Sequence, residues 1–183
     1  KYQWHFSNDP AINAFALPGG IVIVNKGLLE KADSANEVAG VLAHEIAHVT
    51  KQHQLKVLQK QQLVGFGAGK LAEIFAKDHK LAKKAIDSGA EISARSLDKD
   101  AEFEADRMGM VLATRAGYEP YGLAEILQSI GQTNKADNSV ALLFKTHPHP
   151  DERLTKLGNS AGSKFDGIKN GKILVNRFYV LKN

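Results

Sequence analysis

The chain has 183 residues, 43% hydrophobic and 24% charged, which is enough to bury a core without covalent staples and points to one domain over 1–183. It has no cysteine, which excludes disulfides and thiolate metal sites and leaves His, Asp and Glu to hold any metal. The net charge of +4 is spread over interleaved acids and bases with no collected basic face, so no nucleic-acid partner is expected.

The longest uncharged run, Pro10 to Asn25, is too short and too broken by Pro18-Gly19-Gly20 to cross a bilayer, so no transmembrane segment is expected. The chain begins at Lys1 and shows no signal-peptide pattern, as expected either of a trimmed mature form or of an excised piece of a longer protein.

In chain order, "NAFALPGGIVIVNKGLL" places two β-branched apolar runs around a Pro-Gly-Gly turn and predicts a β-hairpin at about Ala14 to Val24. A short turn or helix begins at Leu28 and Leu29. Ser34 three residues ahead of Glu37 is a capping box, so a helix is expected from Ala35 to about Leu63, burying Val38, Val41, Leu42, Ile46 and Val49.

"LVGFGAGKLAEIF" carries three glycines and reads as a bend or a close helix contact. A helical stretch over 71–94 follows, and its Lys-rich "KDHKLAKKAID" is the solvated side of a helix. Ser96 and Asp98 are candidate caps for a helix from Lys99 to Ala116, stopped by Gly117 with Pro120 beyond. Another helix is expected from Tyr121 to Ile130. "THPHPDERL" enters a short helix with Asp151 as a cap, and "GKILVNRFYVLKN" reads as a strand.

His44-Glu45-Ile46-Ala47-His48 is an HExxH motif inside the capped helix. At about 100° per residue, positions four apart stack on one face, so both imidazoles can reach one zinc while Glu45 holds a water beside it. The plainer alternative is two surface histidines flanking a helix salt bridge. His53 lies about 180° from His44 on a continuous helix, so it is expected to point away as a surface or packing residue. A metzincin would need Gly at 51 and His at 54, where this chain has Lys51 and Gln54.

A catalytic zinc takes a third protein ligand and keeps a fourth position open. "EFEAD" supplies Glu102 and Asp106 on one helix face, with Glu104 pointing roughly the other way. Glu102 is the preferred ligand and Glu104 its rival; Asp106, one turn on, can accept from a ligating imidazole and set its tautomer.

"NAFALPGGIVIVNKGLL", "HEIAH", "EFEADRMG" and "THPHPDER", in this order over most of the chain, resemble the HtpX and BepA type of metallopeptidase, metallopeptidase family forty-eight. This gluzincin group also includes the CAAX prenyl proteases and the mitochondrial protease Oma. Its HExxH followed by ExxxD falls on His44, Glu45 and His48, then on Glu102 and Asp106, which implies Glu102 rather than Glu104 as the ligand. One departure is Asp98-Lys99 where the family commonly has Ser-Arg, and lysine cannot reproduce a bidentate arginine contact.

The resemblance implies an α+β, mainly helical, zincin-type catalytic domain. It has an HExxH active-site helix, a second helix carrying the ExxxD glutamate, and a small β-hairpin or sheet lining the cleft. It implies one Zn2+ per chain on His44, His48 and Glu102, with Glu45 as general base. In "THPHPDER" the family's histidine and the arginine six residues later are His147 and Arg153. Either is a candidate oxyanion donor, and His147 is alternatively a fourth ligand that silences the site.

The expected activity is endopeptidase cleavage of unfolded or misassembled polypeptides, laid as a strand along the hairpin edge. The HtpX and prenyl-protease branches carry transmembrane helices, so the soluble, periplasmic BepA-like branch fits better. That implies work in bacterial envelope protein quality control, in association with the envelope assembly machinery. Two alternatives stand beside it: a latent, metal-gated, chaperone-like binder whose zinc is plugged by His147, and a zinc hydrolase acting on small amides or esters.

Overall fold

The computed structural model describes residues 1–62, 97–134, 136–176 and 178. The expected helix over 71–94, the glycine-bearing segment before it and the Ser96 cap lie outside them.

Three strands, β1 (Gln3–Ser7), β2 (Ala14–Leu17) and β3 (Ile21–Asn25), form a sheet in the order β1-β3-β2. The expected hairpin is β2 with β3, antiparallel and in register from Ala14 opposite Val24 to Leu17 opposite Ile21. Its turn needs Gly19 and Gly20, whose φ of 90° and 88° only glycine adopts without strain. β1 was not foreseen; it pairs parallel to β3 from Gln3 opposite Ile21 to Ser7 opposite Asn25. Period-two alternation sends Ala14, Ala16, Val22 and Val24 into the main core and Phe15, Leu17 and Ile23 into a smaller cluster on the other face.

α1 (Lys26–Lys31) leads into α2 (Ala35–Thr50), whose cap is as expected: Ser34 Oγ accepts from Glu37 N at 3.1 Å. The helix does not run on to Leu63. It stops at Thr50, and α3 (His53–Gln62) restarts after Gln52, which sits in the left-handed region at φ 57°. The expected apolar side is corrected as well. Val38, Val41, Leu42 and Val49 pack on the core but stay partly exposed, whereas the buried face is Gly40, Ala43, His44, Glu45, Ala47 and His48. Small and polar residues take this face because β2, α4 and α5 converge on it.

α4 (Lys99–Arg115) begins at the Asp98 cap and ends before Gly117, as expected, and α5 (Gly122–Gly131) matches the helix expected from Tyr121. A side chain at Gly109 would place its Cβ 2.9 Å from the backbone nitrogen of His44. Glycine there lets α4 lie directly against the motif helix.

α6 (Asn138–Thr146), capped by Asp137, was not foreseen. It delivers His147 to the start of α7 (Pro150–Ala161), whose cap is His149 rather than Asp151: the His149 ring accepts from Asp151 N. The strand expected in "GKILVNRFYVLKN" does not form among the described residues. Lys172 makes a single parallel bridge with Tyr118, and residues 175 and 176 are helical.

Candidate metal centre

Helix periodicity stacks His44 and His48 on the buried face of α2, 2% and 0% exposed, with their Nε2 atoms 2.9 Å apart. Glu102, on the first turn of α4 and wholly buried, brings Oε1 to 3.3 Å from His48 Nε2 and Oε2 to 3.7 Å from His44 Nε2. His147 closes the group from the α6–α7 junction, with Nδ1 2.6 Å from Glu102 Oε2. One ligand atom from each of His44, His48, Glu102 and His147 lies within 4.8 Å of the others.

Glu104 is not among them. It lies 38% exposed on the other side of α4, with its carboxylate oxygens 2.7 Å from Lys51 Nζ and 3.1 Å from His53 Nε2.

His44 is held from behind. Its Nδ1 lies 2.8 Å from Asp106 Oδ1, and Arg153 grips the same carboxylate with Nε at 2.9 Å from Oδ2 and with Nη2 on Oδ1. All three residues are buried. Burial works against charge here, but Arg153 and His44 outweigh it and hold the Asp106 carboxyl far below the usual carboxylate range. Arg153 is raised in turn, because Asp106 outweighs the cost of its burial. Two guanidinium nitrogens are therefore engaged by Asp106, so the arginine braces the carboxylate behind His44 and does not present a free fork to the cleft.

His48 is held differently. Its Nδ1 is 2.9 Å from Nδ1 of His53, so the expectation that His53 points away is corrected: the break at Gln52 turns that ring back toward His48. Burial pushes His48 well below the ordinary histidine range, with His44 adding to the effect. Burial also lowers His53, outweighing the pull of Glu104.

The donor chemistry of this cluster fits a cation. A carboxylate only accepts, so Asp106 accepts a hydrogen bond from His44 Nδ1–H and leaves the Nε2 lone pair facing His48 and Glu102. Glu102 Oε1 and Glu45 Oε2 are buried side-chain oxygens with no hydrogen-bond partner. Such orphans carry the full cost of desolvation, and a divalent ion between His44, His48 and Glu102 would satisfy the first of them. His2Glu is a catalytic zinc ligand set that leaves a fourth position for water.

Glu45 is 2% exposed beside the pair. Burial raises its pKa, more than the nearby His44 and His147 lower it. Burial opposes ionisation of Glu102 too, but His147, His48 and His44 outweigh it and hold that carboxyl well below its ordinary range. Despite burial, the Glu102 charge and hydrogen bond raise His147.

A cavity of about 30 Å3, room for a water molecule, is bordered by His44, Glu45, His147 and Arg153. A larger groove of about 300 Å3 opens on the His48 side between the hairpin turn and the α2–α3 corner, lined by Tyr2, Leu17, Gly19, His48, Gln52 and Leu55. β2, the free edge of the hairpin, is buried at every residue, and an open concavity lies at the hairpin's turn.

The residue that sequence reasoning misplaced is His53. The available signal was its position five after His48 with acidic residues due on a facing helix, but neither Gly nor Pro marks the break that brings it round. Among the described residues no helix is long and apolar enough to cross a membrane.

A model described as peptidase family M48 matches residues 1–161. The chain is 30% identical over 167 residues to a beta-barrel assembly-enhancing protease of Yersinia pestis, covering 87% of this chain and 34% of that protein. It is 29% identical over 170 residues to the beta-barrel assembly-enhancing protease of Escherichia coli strain K12, covering 88% of this chain and 35% of the relative. A mitochondrial metalloendopeptidase OMA1 of Schizosaccharomyces pombe is 27% identical over 165 residues, 86% of this chain and 46% of that protein. The chain thus spans about a third of the length of the bacterial relatives.

Proposed function

Since the chain belongs to peptidase family M48, we propose that it is a zinc-dependent endopeptidase domain that hydrolyses unfolded or misassembled polypeptides. The observation that carries the reading is the pair of imidazole Nε2 atoms 2.9 Å apart, facing a buried carboxylate oxygen with no hydrogen-bond partner. A shared cation would relieve that arrangement of lone pairs and satisfy the orphaned Glu102 oxygen at once.

His44, His48 and Glu102 would hold the metal. Zinc bound there supplies Lewis acidity for the scissile carbonyl and lowers the pKa of an attacking water. Glu45 accepts the water's proton during attack and returns it to the departing amine; its desolvation favours this exchange by making the carboxyl a better base. His147, buried with its Nδ1 on Glu102, would act as the oxyanion donor through its other ring nitrogen. Asp106 and Arg153 orient His44.

The groove beside the hairpin turn supports an extended polypeptide as substrate. The names of the bacterial relatives, which tie them to β-barrel assembly, support a place in envelope quality control, in the periplasm and beside the assembly machinery.

Unfolded casein is the test substrate. The wild type should cleave it, stop when zinc is chelated and resume when zinc is restored. Glu45→Gln should bind zinc in equal stoichiometry and cleave at least about a thousandfold more slowly; turnover near the wild-type rate would remove Glu45 from the role of base. His147→Ala should lose about 100-fold in kcat, in the range seen for oxyanion donors, whereas a gain of activity would identify a plugged, latent centre.

A further inference from the structure

Beyond the zinc site itself, one buried chain of polar contacts leads away from it to the surface. We infer that His53 is a positioning residue that, with Glu104, locks His48 in the tautomer that turns Nε2 to the metal. The inference rests on the zinc reading given above.

From Glu104 inward, each proton position follows from the acceptor character of a carboxylate. Its Oε2 is 3.1 Å from His53 Nε2, so that nitrogen carries the proton; two lone pairs would otherwise face each other. The neutral His53 ring then has its lone pair on Nδ1, 2.9 Å from His48 Nδ1. His48 must donate there, and its own lone pair is left on Nε2, 2.9 Å from His44 Nε2 and 3.3 Å from Glu102.

Nδ1–H is the less populated tautomer of a free imidazole, and here a built partner selects it. His53 is 4% exposed and His48 fully buried, so water does not compete for the contact. Gln52 at φ 57° makes the contact possible, since an unbroken helix would carry His53 about 140° around from His48. A ligating histidine commonly gives its second N–H directly to a carboxylate or carbonyl; here a second imidazole carries the link to the carboxylate.

His53→Leu fills the space but ends the relay, whereas His53→Gln retains one acceptor for His48 and one donor for Glu104. Three readouts apply to the folded chain: zinc affinity by chelator competition, the visible spectrum of the cobalt-substituted protein, and imidazole nitrogen shifts of the metal-free protein. His53→Leu should bind zinc about 10–100-fold more weakly, shift the cobalt bands and move His48 away from the Nδ1–H tautomer, while its circular dichroism stays native. His53→Gln should stay within about threefold of the wild type by the same principle.

Wild-type affinity and cobalt bands in His53→Leu would overturn the inference. So would His53→Gln as weak as His53→Leu with both folded. A wild type that binds no zinc, unchanged by His44→Ala, would overturn the metal site instead; the metal-free nitrogen shifts then decide the relay, an Nε2–H tautomer of His48 overturning it.

Discussion

The two histidines of one motif are supported in opposite ways. Behind His44 stands a buried carboxylate held by a buried guanidinium, three groups at 4% exposure or less at the side chain. Behind His48 stands a second imidazole, then a carboxylate 38% exposed and a lysine 41% exposed. Charge is sealed inside on one side and handed out to solvent on the other. Direct carboxylate support must be built with its countercharge, because an uncompensated ion in the interior is costly. An imidazole relay transmits the same orientation while keeping the charge at the surface.

The contrast breaks most sharply at the cations. Arg153→Met strands the buried Asp106 charge, and removing one partner of a buried pair costs about 3–5 kcal/mol. For a chain of this size that lowers the thermal midpoint by roughly 6–20 °C. Lys51→Met removes the corresponding cation at the surface and should cost no more than about 1 kcal/mol, less in high salt. Calorimetry of the two variants, with and without added salt, checks the comparison; equal losses would dissolve it.

Next in size is Asp106→Asn. The amide can still accept from His44 through oxygen, but it can also turn its NH2 toward the ring, so the tautomer is no longer enforced. Zinc affinity should fall about 10–100-fold. Glu104→Gln offers the same loss of enforcement one ring further from the metal and should fall less than Asp106→Asn, by a few-fold on the same reasoning. Chelator competition on both variants ranks the direct support against the relayed one.

How much of this was legible follows from which contacts are local. His44 and His48, and again Glu102 and Asp106, are four apart, and a helix converts that spacing directly into a shared face. The hairpin was legible because Pro18-Gly19-Gly20 punctuates two alternating runs. α6 was not, because "NSVALLFKT" offers only about two and a half turns and its only start signal is Asp137. β1 was not, because its pairing with β3 is parallel and non-local, and its Trp4 and Phe6 stay 41% and 72% exposed. The buried side of α2 was misjudged for a physical reason as well: where several elements converge, small and polar residues lie innermost and the large aliphatic ones flank them.

Gln52→Gly, at the hinge on which the His48 support depends, has the smallest effect. Gln52 holds φ 57°, a region that costs a residue with a Cβ roughly 1–2 kcal/mol and glycine almost nothing. Against that gain, glycine adds freedom to the unfolded chain, so Gln52→Gly should stabilise by no more than about 1 kcal/mol, a rise of roughly 2–4 °C in thermal midpoint. Zinc affinity should stay at the wild-type value, because His53 still returns to His48. Gln52→Pro separates hinge from strain, since proline locks φ near −65° and cannot make the turn. It should lose zinc affinity to the level of His53→Leu while leaving the His44 support in place. A proline variant that binds zinc as the wild type does would show that the corner at Gln52 is not what brings the two rings together.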